Sequence, residues 1–186
     1  MKQRIWILLF LVTAFYAYGQ HAQYISVQSG LHFDSYNSLG ARIYTEFQRN
    51  LNARTSYGIF VEHTRYLSRY MTDYYPGIYS DWHIVGYQRH FHVKLWKNIL
   101  FWQLGVGGGL SHLSWTNNGH YDEFGINLTF HATLNIKLGK NVYLETTPVP
   151  ILVPFSRFYI HYMPRLNNLR PVYSGTFHAV GLKIKI

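Results

Sequence analysis

The 186-residue chain carries 17 Lys and Arg against 8 Asp and Glu, a formal charge of +9, and has no cysteine. That absence excludes disulfides, thiolate metal centres, a cysteine nucleophile and a lipidated amino-terminal cysteine. Charged residues make up only 13% of the chain and aromatics 18%, a balance better suited to lipid than to water. The basic surplus forms no Lys/Arg run, which argues against nucleic acid and for lipid phosphate as a neighbour.

Lys2 and Arg4 precede an apolar stretch from Ile5 to Phe15 and the small residues Ala17 and Gly19. A basic start, a short apolar centre and a small-x-small exit predict a cleavable secretory signal over residues 1–19. Residues 20–186 then form one domain, with no low-complexity linker to divide it. No later segment reaches 18 consecutive apolar residues, so no spanning helix is expected.

The remainder reads as about eight strands, near 24–33, 39–49, 54–66, 81–93, 98–110, 124–138, 142–156 and 172–186. The sixth carries the clearest signal. Phe124, Ile126, Leu128, Phe130, Ala132, Leu134, Ile136 and Leu138 alternate with Gly125, Asn127, Thr129, His131, Thr133, Asn135 and Lys137. Side chains alternate faces along a strand, so this run has an apolar face and a polar face, and it is long enough to cross a hydrocarbon layer of about 25 Å. In the second strand Leu39, Ala41, Ile43 and Phe47 oppose Arg42, Tyr44, Glu46 and Gln48. In the fifth Trp102, Leu104 and Val106 oppose Gln103, Gly105 and Gly107. The last two strands fit less well, because Pro148, Pro150 and Pro154 each remove a ladder donor and the final strand changes face near Val180.

Tight turns are expected at Asn50-Leu51-Asn52, Lys97-Asn98 and Gly139-Lys140-Asn141, where Asn and Gly tolerate positive φ. Asp34–Ser38, Leu67–Ser80, Ser111–Glu123 and Phe158–Pro171 read as connections at the opposite end. An even strand count with short turns at one end and longer loops at the other predicts an all-β, antiparallel transmembrane β-barrel in the outer membrane, with periplasmic termini. The apolar face points to lipid if charges lie on the polar faces and if aromatics such as Tyr66, Trp82, Phe91 and Trp102 form interfacial girdles. A soluble, lipocalin-like ligand carrier would reverse the faces.

The polar faces place Arg42, Glu46, Glu62, His131, Lys137 and Glu145 in the lumen, where eight strands leave room for side chains but for no wide channel. These residues are expected to fill the barrel as a polar network. Gly105, Gly107, Gly108 and Gly109 lack the Lys-Ser/Thr and the following helix of a phosphate loop; in a strand they signal close backbone approach. His90 and His92 share a strand face, with His63 and His83 nearby, but no His-Glu-x-x-His spacing occurs and no metal or other cofactor is expected. Arg65, Arg69, Arg157, Arg165 and Arg170 among the loop tyrosines make outer-membrane lipid and lipopolysaccharide the expected partners of a monomer. The expected surface for other contacts is loops 67–80, 111–123 and 157–171.

Trp102-Gln103-Leu104-Gly105-Val106-Gly107, Arg157-Phe158-Tyr159-Ile160-His161-Tyr162 and the closing strand to Ile186 resemble the carboxy-terminal half of the lipid A 3-O-deacylase family of small outer-membrane barrels. That resemblance implies a His-x-Ser pair with a Glu about a dozen residues on, the His activating Ser for attack on an ester. His161 matches the family's His, but Met163 stands at the Ser position and no Glu follows, so the carried-over site is expected to be inactive. His112-Leu113-Ser114, with Glu123 downstream, is a second candidate triad for lipid A ester hydrolysis. More broadly, the chain is similar in architecture to OmpA/OmpX-type barrels. The sequence thus implies a non-enzymatic outer-membrane barrel with a structural or surface-interaction role.

Overall fold

The structure, a computed structural model, describes residues 22–34, 39–66, 80–116, 120–146, 157–165 and 168–186. The expected signal over residues 1–19, most of the 67–80 loop, Arg69 and the three prolines Pro148, Pro150 and Pro154 lie outside them. The described chain forms one antiparallel sheet of β1 (Gln23–Asp34), β2 (Leu39–Asn50), β3 (Thr55–Tyr66), β4 (Ser80–Trp96), β5 (Leu100–Thr116), β6 (His120–Lys137), β7 (Val142–Thr146), β8 (Arg157–Arg165) and β9 (Asn168–Lys185). Each strand pairs with its neighbours in order, and β9 returns to β1 to close a barrel. Both β7 and β8 pair with β6 on one side and β9 on the other, so together they form a single stave. The barrel therefore has eight staves, as the sequence pattern predicted.

Its dimensions follow from strand register. Starting at Ser29, paired residues lead one way through Ile43, His63, His83 and His112 to Phe124 on β6. The other way, they lead through Val180 and Thr146 to Leu134. The circuit thus returns ten residues away on the same strand. With eight staves, that shear gives a strand tilt of about 42° and a backbone radius of roughly 8 Å, enough for side chains to fill the interior.

Which face is outside is settled by burial. Among the described residues, twenty-five large hydrophobic side chains are exposed, including Ile25, Ile43, Val61, Val85, Leu104 and Ile126. Twenty-one buried residues are polar or charged, against seven buried hydrophobic ones. An apolar wall around a polar interior suits lipid outside and excludes the soluble carrier, whose apolar cavity would lie within. On β6, Phe124, Ile126, Leu128 and Phe130 face outward, while Asn127, Thr129, His131, Thr133 and Asn135 are buried, the predicted division.

The rim nearest the termini is closed by short turns. Lys97 and Asn98 both have positive φ, 37° and 59°, and the Ile99 amide donates to the Trp96 carbonyl at 2.8 Å. Two consecutive left-handed residues give a turn whose twist matches that of the flanking strands. Asn52 Oδ1 accepts from the amides of Arg54 and Thr55 at 2.8 and 2.9 Å. Both ends of the barrel segment join this rim: Asn50 N donates to Ala22 O, and Ile186 N to Gln23 O, each at 3.0 Å.

Several expectations are corrected. Residues 111–123 are not simply a loop, because β5 and β6 pair from Leu100↔Ile136 up to Thr116↔His120. Residues 157–165 form β8, and the last strand begins at Asn168 instead of 172. Of the expected seventh strand over 142–156, Val142–Thr146 is β7 and residues 147–156 lie outside the described residues. On β6, the residues paired with β7 and with β8 are separated only by Ala132 and Thr133. Arg157 lies opposite His131 within the wall, far from a loop tip. The change of face near Val180 is a bulge opposite Ser29–Leu31: Thr176 is buried above it, and Ala179 and Lys183 below. Of the four girdle aromatics, Phe91 is exposed, but Tyr66 and Trp82 are 3% and 2% exposed and lie inside. They share strand parity with Thr64 and Ile84, so they plug the lumen.

Candidate functional site

The polar interior is the site to which the sequence pattern pointed, and it divides along the barrel axis. Towards the loop end, Tyr44, Phe60, Tyr66, Trp82, Ile84 and Leu113 form a buried cluster. Within it Arg42 Nη2 stands 2.9 Å from Glu62 Oε2, both side chains fully enclosed. The guanidinium also lies 4.8 Å from the Tyr44 ring centre, a cation–π placement. His32 Nδ1 approaches Thr176 Oγ1 at 3.1 Å and Glu62 at 3.9 Å.

Towards the turn end the filling is polar and continuous. Gln88 Nε2 donates to Tyr44 Oη at 2.6 Å and to Glu46 Oε1 at 2.7 Å. Glu46 Oε1 also meets His90 Nε2 at 2.6 Å. Gln103 Nε2 donates to His90 Nδ1 at 3.1 Å, and Lys183 Nζ donates to Gln103 Oε1 at 2.6 Å. Lys183 stands 3.8 Å from Glu145, which accepts from Gln28 at 2.7 Å and from the Ser26 hydroxyl. With an amide accepted at Nδ1 and a carboxylate opposite Nε2, His90 is assigned the tautomer with its proton on Nε2. The relay thus links Tyr44 to Glu145 through five strands, β2, β4, β5, β9 and β7, and Ser26 and Gln28 extend it to β1.

Glycines make room for it. A Cβ at Gly58 would fall on the Glu46 carboxylate; at Gly105 it would meet His90 Nδ1 at 2.6 Å, and at Gly86 the Phe60 ring at 2.6 Å. At Gly107 the obstacle is backbone, Gln88 Cα at 2.6 Å. The β5 glycines thus serve close approach, as the strand context predicted.

Below the relay, a cavity of about 150 Å³ opens at the turn end, lined in part by Tyr24, Asn50, His92, Asn135, Tyr143 and Lys183. It has space for about five waters. Neither polar atom of the Asn135 side chain has a protein partner, and a buried amide of this kind is ordinarily satisfied by water, for which this vestibule has room. The enclosed Arg42, Tyr44, Phe60, Ile84, His90 and Gln88 separate it from the loop end.

Arg42, Glu46, Glu62, His131 and Glu145 all lie buried in the lumen. Lys137 has the same parity but ends its strand at the rim, exposed. The sequence reading missed Tyr44, Gln88, Gln103 and Lys183 as relay members. Parity alone could have found the first three; Lys183 was hidden by the bulge that switches faces on β9.

The candidate triad is not assembled. His112 and Ser114 occupy outward positions, alternating with buried Leu113, whereas Glu123 is paired directly with Leu113 and so faces inward. The carboxylate beside His112 Nε2 is Asp122 Oδ1, at 2.9 Å. His161 pairs with Asn127 and Val172 in the wall. Among the described residues no three His, Asp or Glu side chains already converge on one point as metal ligands.

A closed eight-stave barrel with an apolar wall and a sealed polar lumen is the build of a small outer-membrane β-barrel protein. Solved structures agree. The chain is similar to Neisserial surface protein A, at 14% identity and a TM-score of 0.60, over 89% of this chain and 97% of that one. It is also similar to Ail, the attachment invasion locus protein of Yersinia pestis, at 11% identity and a TM-score of 0.54, over 90% of this chain and 100% of that one. No protein-family model matches the sequence, and no curated protein matches it. The likenesses establish the fold; it is the apolar wall around a polar lumen that places the barrel in the outer membrane.

Proposed function

We propose that this protein is a non-enzymatic, monomeric outer-membrane barrel whose work is done at its loop end, where basic side chains engage anionic surface groups, lipopolysaccharide phosphates foremost. The observation that carries this reading is the filled lumen. Among the described residues, fully enclosed side chains from Arg42 to His90 occupy the bore, and a bore filled in this way points to the rims and the outer wall as the working surfaces. Arg65 is exposed near the loop end of β3, and Arg165 and Arg170 lie on the β8–β9 hairpin at the same end. Ail was solved with the heparin analogue sucrose octasulfate, a polyanion, and the same chemistry is offered here.

The test is binding of lipopolysaccharide and of immobilised heparin to purified, heat-modifiable barrel in detergent. Lipopolysaccharide binding that weakens with salt and falls in an Arg65→Gln/Arg165→Gln/Arg170→Gln variant supports the proposal. Equal binding by that variant overturns it, and release of fatty acid from lipid A overturns the non-enzymatic reading.

A further inference from the structure

One group of side chains lies outside the lumen and outside the proposed anion surface. His63 on β3, His83 on β4 and His112 on β5 are directly paired across three neighbouring strands. Each points outward, so the three imidazoles form a row on the wall. Just below them are Val61, Val85 and Leu110, and just above are Arg65, Asp81 and Ser114. The row therefore marks the boundary where the wall passes from apolar to polar, within reach of water.

The rings are close. His63 Nδ1 and His83 Nδ1 lie 3.3 Å apart, with ring centres at 4.6 Å. The His83 and His112 rings are stacked at 6.1 Å. Two nitrogens on a tetrahedral zinc at 2.0–2.1 Å stand about 3.3–3.4 Å from each other, so the observed separation is already that of two ligands on one ion. Each end of the row also has a carboxylate behind it. His63 Nε2 is 3.7 Å from Asp81, and His112 Nε2 is 2.9 Å from Asp122. At the His112 end the contact is a hydrogen bond, which holds the proton on the far nitrogen and leaves the near nitrogen's lone pair for a metal; at the His63 end Asp81 stands just beyond hydrogen-bond distance, an electrostatic neighbour of the same kind.

We propose that His63 and His83 are the two-imidazole edge of a surface site for a divalent transition metal such as Zn²⁺ or Cu²⁺. His112 supplies a third imidazole by rotating about its side-chain bonds, and water completes the shell. Imidazole donors select zinc, copper or nickel over magnesium and calcium, which prefer oxygen. In the metal-free barrel the two facing nitrogens share one hydrogen bond; on binding, the ring that donates it carries that proton on its own Nε2 instead, so both Nδ1 lone pairs face the metal and no net proton is lost. Asp81 acts as a positioning residue for His63, and the same oxygen, Oδ1, stands 3.9 Å from Arg65 Nε.

The experiment is titration of Cu²⁺ and Zn²⁺ into the untagged, folded barrel in detergent, followed by calorimetry and by electron paramagnetic resonance of the copper form. A His21→Gln background removes the imidazole nearest the exported chain's amino terminus. One saturable equivalent with nitrogen coordination is expected. His63→Gln and His83→Gln should each weaken binding at least tenfold, and His112→Gln should remove one nitrogen from the copper spectrum. Asp81→Asn should weaken binding by about 10–100-fold if it holds His63 in place. Because these side chains face outward, heat-modifiable migration should persist in all four variants. Absence of saturable binding, or a His63→Gln/His83→Gln double variant that binds as the parent does, overturns the site.

Discussion

The two halves of the lumen solve one problem with different chemistry. Both must fill a bore of fixed width, and both hold charge away from bulk water. The loop-end half encloses one ion pair, Arg42–Glu62, among six large apolar and aromatic side chains. The turn-end half spreads its charge over Glu46, Lys183 and Glu145, joined through His90, amides and hydroxyls and backed by the vestibule. The Arg42 guanidinium has Glu62 as its counter-charge, whereas in the relay Glu145 holds Gln28 and Ser26 as well as Lys183. The loop-end half should therefore be brittle and the turn-end half forgiving.

The largest effect tests the brittle half. In Glu62→Ala the Arg42 guanidinium keeps its charge where water does not reach, and losing one partner of a buried pair costs about 3–5 kcal/mol. Urea unfolding of the barrel in detergent should show that loss as a lower midpoint. A shift smaller than that of Lys183→Met would break the contrast between the halves. Phe60→Ala removes the ring that lies over Gly86 and against Tyr44, with centres 5.5 Å apart. Deleting a buried aromatic costs about 3–5 kcal/mol. It should also raise ion conductance in planar bilayers, because that ring belongs to the seal; unchanged conductance would mean that the relay below it closes the bore unaided.

Lys183→Met probes the forgiving half. It removes the donor to Gln103 and the cation beside Glu145, yet Glu145 keeps Gln28 and Ser26. Loss of a hydrogen bond to a charged group costs about 1.5–3 kcal/mol, so its unfolding midpoint should fall less than that of Glu62→Ala. An equal fall would show that these remaining partners give no relief.

How much of this could be read beforehand differs between wall and lumen. The wall of β6 was legible because period-two alternation is a local property of the chain, written from Phe124 to Leu138. The inward placement of Arg42, Glu46, Glu62, His131 and Glu145 followed from the same parity. Partners were not legible, because they depend on register across loops: His83 meets His63 only through the span of residues 67–79, and Lys183 faces inward only because β9 bulges near Ala179. Tyr66 and Trp82 misled for a related reason. An aromatic near a strand end suits a girdle or a plug, and only its parity against Thr64 and Ile84 decides between them. The seventh stave was only partly legible, because Arg157–Arg165, read as part of a loop, shares the stave with Val142–Thr146, and no local pattern announces that two strands separate in sequence lie end to end.

The smallest expected effect sharpens the contrast most. At Gly105 an added methyl would meet only the imidazole of His90 closely, at 2.6 Å to Nδ1, with the nearest backbone atom at 3.3 Å. Gly105→Ala should thus cost towards the low end of the roughly 1–3 kcal/mol of an overpacked interior, since a side chain can move where backbone cannot. If the cost arises from pushing His90 off Glu46, it should shrink in a His90→Ala background, a coupling that a double-mutant cycle reads directly. Undiminished cost there would assign the strain to the β4–β5 backbone, and the tolerance of the turn-end half would then come from its water instead of its interchangeable hydrogen bonds.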